Sequence, residues 1–186
     1  MVKPTKLFWK AGKHVLRYLR GTSEYGLWYR QTNDVKLHGF TDADWAGNPI
    51  DKKSTSGGVF SIGSMTVFWY NRKQISVALS SAEEEYMAES QTACEAIWMR
   101  KILVGLFGSH LDPTVIHCDN QSCNKLSINH VFHDRSKPID IWYHHIRDYV
   151  QWKNMLLQYI PTEDHDAKIL TKALTRRKFE YHRDRI

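Results

Sequence analysis

Apolar and polar positions recur with two different periods along this chain, and the changes of period mark out its elements. Residues 4–20 read as a helix. Phe8, Ala11, Val15 and Leu19 keep one apolar face, while Lys6, Lys10, Lys13, Arg17 and Arg20 recur at 4, 3, 4 and 3 as a cationic stripe on another. Gly21 stops this helix, and an aromatic segment, Tyr25–Arg30, follows it. Val35–Asp42 reads as a strand with Asp42 near its end. Ser56–Ile62 and Met65–Tyr70 read as a hairpin turned at Gly63-Ser64. Residues 80–107 carry the longest helical pattern, closed by Gly108. Thr114–Cys118 is a short strand delivering Asp119, followed by a short helix. Residues 138–153 read as helical, Met155–Tyr159 as a strand and 164–174 as a last helix, with a frayed basic tail at 176–186. This order suits a mixed α/β domain around a central sheet.

The chain has 186 residues, 42% of them apolar, with 7 Trp, 9 Tyr and 7 Phe, enough to bury a core and to argue against disorder. No run approaches the roughly 18 apolar residues of a membrane span, and the N-terminus is too polar for a signal peptide. An intracellular protein, cytoplasmic or nuclear, is the expectation, with no membrane partner. Cys94, Cys118 and Cys123 are an odd number without zinc spacing and read as reduced thiols. The net charge of +6 is local: residues 1–30 hold seven basic residues against Glu24, and the remainder is neutral. The cationic stripe (Lys6, Lys10, Lys13, Arg17) is therefore either a solvated helix face or a track for a phosphate backbone.

Four acidic segments carry the candidate chemistry: Thr41–Gly47, Ser80–Ala88, His117–Ser122 and Asp164–Lys172. Two-metal phosphodiester hydrolysis needs several carboxylates converging on hard cations, with Asp at the ends of adjacent strands and a Glu projected over them from a helix. Asp42, Asp119 and Glu85 sit on elements of those types, in that arrangement. Taken singly, Thr-Asp-Ala-Asp and Asp-Asn are turn signals.

With these segments and with Pro4–Thr22, Lys53–Gly57, Lys137–His144, Ile146–Asp148 and Tyr159–Asp164, the chain resembles the ribonuclease H domain of copia-type long-terminal-repeat retrotransposon Pol polyproteins, abundant in plants. The resemblance covers most of the sequence. It implies a ribonuclease H-like fold, a mixed five-stranded central sheet flanked by helices and preceded by an N-terminal basic helix. It divides the chain into 1–30, a remnant of the segment joining reverse transcriptase to ribonuclease H; 31–175, the ribonuclease H-like domain; and 176–186, the basic tail. It implies cleavage of the RNA strand of RNA/DNA hybrids with two Mg²⁺ (or Mn²⁺) ions. Asp42, Glu85 and Asp119 would be metal ligands, Glu85 being preferred over Glu83 and Glu84 because Glu85-Tyr86-Met87-Ala88 fits a Glu-x-x-Ala pattern. Ser54, Thr55, Asn120 and Gln121 would contact the hybrid backbone. The apolar face of the first helix would meet a polymerase segment or a second copy.

The chain departs from the family where a fourth acid is expected. Gapless alignment puts His165 at a Gln position, Asp166 at a variable position and Lys168 at the Asp. Either Lys168 neutralises the remaining acids as an ion pair, or it swings outward and Asp166 or Asp164 reaches the metal. Asp166 is thus a candidate catalytic residue, although two helical residues amount to a rotation of about 200° that turns it away. Trp142 stands at a usual Arg, and His144, His145 and His117 read as packing rather than ligating residues. Two functions stay open: an active ribonuclease H, and a degenerate or domesticated module that binds nucleic acid or protein without cutting. A strand-transferase of the same fold uses a different order of acids.

Overall fold

A computed structural model describes residues 5–29, 36–45, 47, 50–108, 111–128 and 145–186. Thr5 caps the first helix, α1 (Lys6–Gly21), by accepting from the Phe8 amide. None of the residues of α1 is buried, so its cationic stripe and its apolar stripe both face outward. Strands β1 (Leu37–Asp44), β2 (Thr55–Ile62) and β3 (Met65–Lys73) form an antiparallel meander, with Gly63 at φ 59° in the β2–β3 turn. Helix α2 (Ser81–Phe107) ends at left-handed Gly108, φ 63°, where a side chain would be strained. Then come β4 (Thr114–Cys118), α3 (Gln121–Ile128), α4 (His145–Gln151) and β5 (Met155–Tyr159). A 3-10 turn (Thr162–Asp164) leads into α5 (Lys168–Thr171) and α6 (Arg176–Arg183).

The five strands lie in the order β3-β2-β1-β4-β5, with β4 parallel to β1 and β5 parallel to β4. This mixed sheet with flanking helices is the architecture expected from the sequence, and it is that of ribonuclease H folds. Helix α2 lies across β1 and β2, where Tyr70 donates to or accepts from Thr92 at 2.7 Å and Thr92 meets Thr41 at 2.8 Å. Phe60, Ile116, Tyr86, Ala93, Ile146 and Met155 fill the core, all fully buried. On the other face α5 comes down on β2 at Gly57, where a Cβ would sit 2.6 Å from the Thr171 methyl. Gly57 pairs with Asp42, so the missing side chain is what lets α5 reach the Asp42 carboxylate.

Three local expectations change. Strand β1 spans Leu37–Asp44, so Asp42 lies inside it rather than at its end. The helix expected over 164–174 is split, because His165 turns fully into the core with extended backbone (φ −87°, ψ 98°) and α5 starts only at Lys168. The tail is not frayed. Within 176–186, α6 docks through buried His182, and Arg185 and Tyr181 bond to Asp164 and Asp166. The expected helix over 138–153 is described only as α4; Trp142, His144 and the rest of 129–144 lie outside the described residues.

One turn along α2 from Glu85, Glu89 is wholly buried. Its Oε2 accepts from Ser127 at 2.5 Å, its Oε1 has no hydrogen bond, and one of its oxygens lies within 4.8 Å of the Cys118 and Cys123 thiols. Burial pushes its carboxyl up to about 7, against the Ser127 hydrogen bond. The folded state therefore keeps a proton that the unfolded chain releases. The stability this contributes is fully present below the unfolded value and is lost by the time the pH has risen through about 7. Glu89→Gln is expected to flatten that slope, gaining on the order of 3 kcal/mol over the wild type between about pH 5 and about pH 8. Urea unfolding at the two pH values checks this, and parallel slopes would contradict it.

Candidate metal and nucleic-acid site

Asp42 rises from β1 fully buried, Asp119 follows the last residue of β4, and Glu85 projects from the first turns of α2. Parallel pairing of β1 with β4 sets the two aspartates side by side at one end of the sheet. Ser80 and Glu83 fix the start of α2 and so the height of Glu85. The Glu83 amide donates to Ser80 Oγ at 3.2 Å, and Glu83 Oε2 accepts from the Leu79 amide at 2.7 Å. Glu83 is thereby occupied as a cap. Glu84 is turned toward Ser54, whose hydroxyl bonds to it, and burial pushes its carboxyl up to about 7. Burial, then the negative charges of Asp42 and Asp119, push Glu85 well above the usual carboxylate range.

Two ammonium groups close the cluster. Lys168 Nζ lies 2.7 Å from Asp119 Oδ2 and 3.1 Å from the Thr162 carbonyl, with its side chain 9% exposed. Lys172 Nζ lies 3.1 Å from Asp42 Oδ1, and the Thr171 hydroxyl donates to Asp42 Oδ2. Burial works to raise the Asp119 carboxyl, but the hydrogen bonds from Lys168 and Thr162 and the positive charge around it together outweigh burial and hold the group below its ordinary value. Burial likewise works to lower Lys172, and Asp42, with Glu85 and Asp119 behind it, outweighs burial, so the ammonium is stabilised.

His165 stands between the two aspartates. One ring nitrogen and one oxygen from each of Asp42 and Asp119 all lie within 4.8 Å of one another. The ring is fully buried, stacks edge-on to Phe40 at 6.1 Å, and leaves both nitrogens without a hydrogen bond. The Thr41 backbone approaches it without meeting hydrogen-bond geometry, and burial lowers its basicity.

Other expected site residues fall differently. Asp166 is turned away from the cluster: its carboxylate meets His182 Nδ1 at 2.9 Å and Arg185 Nε at 3.1 Å. Because the backbone turns at His165 before α5 begins, Asp166 serves to dock the tail instead of facing the other acids. Ser54 is fully buried against Glu84, while Thr55 is half-buried. Asn120 Oδ1 accepts from the amides of Ser122 (3.0 Å) and Cys123 (3.1 Å), capping α3, and Gln121 is exposed. Lys6, Lys10, Lys13 and Arg17 are exposed along α1, Lys13 lying 5.1 Å over the Trp9 ring. Thr171, Lys172 and Thr162 were not singled out from the sequence, whose acidic motifs give no sign of their hydroxyl and amine partners.

The chain is 39% identical over 180 residues, 97% of its length, to the Retrovirus-related Pol polyprotein from transposon RE2 of Arabidopsis thaliana. It is 40% identical over 177 residues to that from transposon TNT 1-94 of Nicotiana tabacum. Over nearly its whole length the chain is thus homologous to one segment of retrovirus-related Pol polyproteins. It spans only 12% and 13% of those two Pol polyproteins. No family model matches. Among solved structures it is similar to LC11-RNase H1 isolated from compost (TM-score 0.56, 16% identity, 74% of this chain and 93% of that one). It is also similar to LC11-RNase H1 in complex with RNA/DNA hybrid (TM-score 0.50, 16% identity, 73% and 94%). At such identity these two show the fold: this chain has a ribonuclease H-like fold. The segment agrees with the copia-type ribonuclease H domain that its motifs resemble.

Removing Lys168 leaves Asp119 charged and without its closest cation in a largely enclosed setting. Lys168→Met is expected to cost about 3 kcal/mol at neutral pH. Asp119 is held below its unfolded value, so its contribution is present above that value and is lost as pH falls through the folded one. The cost of Lys168→Met should therefore shrink in acid. Urea melts at neutral and acidic pH measure it, and a pH-independent change below about 0.5 kcal/mol, the range of an ordinary surface substitution, would contradict the pairing.

Proposed function

We propose that this ribonuclease H-like Pol segment binds RNA/DNA hybrids and that hydrolysis of the RNA strand is impaired in it. The observation that carries this reading is the Lys168 ammonium 2.7 Å from Asp119, at the position where the family resemblance expects an acid. Two Mg²⁺ ions bring four positive charges and require oxygen ligands still carrying negative charge. Here Asp119 and Asp42 each already hold a lysine, and Asp166 is committed to His182 and Arg185. The donor set does not fit a pair of Mg²⁺ ions while those lysines stay in place.

Hybrid binding draws support from the exposed cationic stripe of α1, from Thr55 and Gln121 beside the acidic end of the sheet, and from a fold neighbour that has been seen with an RNA/DNA hybrid. Asn120 and Ser54 enter through positioning: Asn120 by capping α3, Ser54 by holding Glu84. The second reading, an active two-metal nuclease, rests on the convergence of Asp42, Glu85 and Asp119, which survives the change at 168.

Labelled hybrid separates the two. The reading expects binding that weakens with salt, with a shallower salt dependence after replacing Lys6, Lys10, Lys13 and Arg17 by Ala, each lost phosphate contact reducing the slope by roughly 0.9. It expects weak cutting by the unaltered chain in Mg²⁺ or Mn²⁺, and at least about tenfold faster cutting by Lys168→Asp, equivalent to about 1.4 kcal/mol of barrier. Robust cutting abolished by Asp42→Asn and unimproved by Lys168→Asp would establish the active nuclease instead.

A further inference from the structure

His165 is a wholly buried imidazole with neither nitrogen hydrogen-bonded, and it is aimed between two carboxylates. Leaving such a group unpaired costs about 1–3 kcal/mol, so its place in the core calls for a partner. Phe40 supplies an apolar edge contact and no hydrogen bond. The groups within reach are the Thr41 backbone, which does not meet hydrogen-bond geometry, and oxygens of Asp42 and Asp119, each carboxylate already bonded to a hydroxyl and an ammonium from the same stretch of chain, Thr162 to Lys172. Lys168 and Thr162 both donate to Oδ2 of Asp119, so neither of these donors is on Oδ1.

We propose that Asp42, Asp119 and His165 form a single mixed nitrogen–oxygen site that takes one borderline divalent transition ion (Zn²⁺, Co²⁺ or Mn²⁺) in preference to Mg²⁺. This rests on the reading above only in placing the site at the same acids; it requires neither hybrid binding nor cleavage. Three protein donors with an open position are a common provision for such an ion. Affinity for imidazole and carboxylate donors rises from Mn²⁺ toward Zn²⁺, because the nitrogen bond adds to the electrostatic attraction. Mg²⁺ gains little from imidazole, holds its waters tightly and depends on uncompensated negative charge. Lys168 and Lys172 remove that charge while leaving the nitrogen untouched. The same lysines that spoil the cluster for a pair of hard ions thus leave it suited to one softer ion. A glutamine at 165, which the family resemblance expects, offers only an amide oxygen and would restore an all-oxygen set.

The test uses the full chain without nucleic acid. Co²⁺ is titrated and followed by its visible absorption, then challenged with Zn²⁺ and with a large excess of Mg²⁺. One equivalent of Co²⁺ should bind, Zn²⁺ should displace it and Mg²⁺ should not. His165→Gln should weaken Co²⁺ by at least about tenfold, since even loss of an outer partner of a ligand costs about that much. Mn²⁺ bound to the unaltered chain should show spin-echo coupling to an imidazole nitrogen, a readout that does not depend on a variant folding. Absence of that coupling, ready displacement by Mg²⁺, or unchanged Co²⁺ affinity in folded His165→Gln would overturn the proposal. A chain that binds Co²⁺ but not hybrid would refute only the functional reading, and one that binds hybrid but not Co²⁺ would refute only this inference.

Discussion

The acidic end of the sheet depends on charge compensation. Asp42, Asp119 and Glu85 are drawn together by strand order and by the start of α2, in a place where little solvent screens them. Three bare carboxylates there would repel one another strongly, and the fold answers in two ways. Glu85 is pushed toward its neutral form, and α5 delivers Lys168 and Lys172 to the two aspartates. The geometry of α5 follows from that need: a four-residue helix carried close to β2 by Gly57 and tied to β3 by the Asn71 amide donating to the Leu170 carbonyl. Carboxylate clusters that hold two metal ions obtain the same compensation from the metal. Here the chain supplies the cations itself.

The tail extends the same logic. Asp164 and Asp166, displaced from the cluster by the turn at His165, become an anionic socket for Arg185, Tyr181 and His182 of α6. A basic C-terminal stretch that would otherwise be solvated is thereby folded against the domain. Asp164 and Asp166 of the segment 162–172 therefore face the tail, while its lysines, hydroxyls and His165 address the candidate site.

Much of this was legible in the sequence because it is local. Short runs of strand-forming residues marked β2, β3 and β5, helical spacing marked α1 and α2, and Gly108 marked the end of α2. The three acids could be named because Asp42 lies close to the end of β1, Asp119 follows β4 and Glu85 lies in the first turns of α2, where side chains of different elements meet. What escaped is long-range or depends on one backbone turn. Lys172 meets Asp42 across 130 positions of sequence, and no periodicity encodes that contact. The burial of His165 splits the last helix, and without that turn Asp166 could not be placed. Of the two geometries left open for Lys168, the inward ion pair is the one observed. For α6 the high charge of residues 176–186 concealed the single buried histidine that anchors it.

Nitrogen-15 NMR of the lysine ammonium groups addresses the central claim most directly. If Lys168 and Lys172 are held on Asp119 and Asp42, two ammonium resonances should exchange slowly with water at neutral pH. Asp119→Asn should remove the protection of one of them, and millimolar Mg²⁺ should leave both in place. Rapid exchange of every lysine, or release of the two protected signals by Mg²⁺, would show that metal ions rather than lysines compensate the acids.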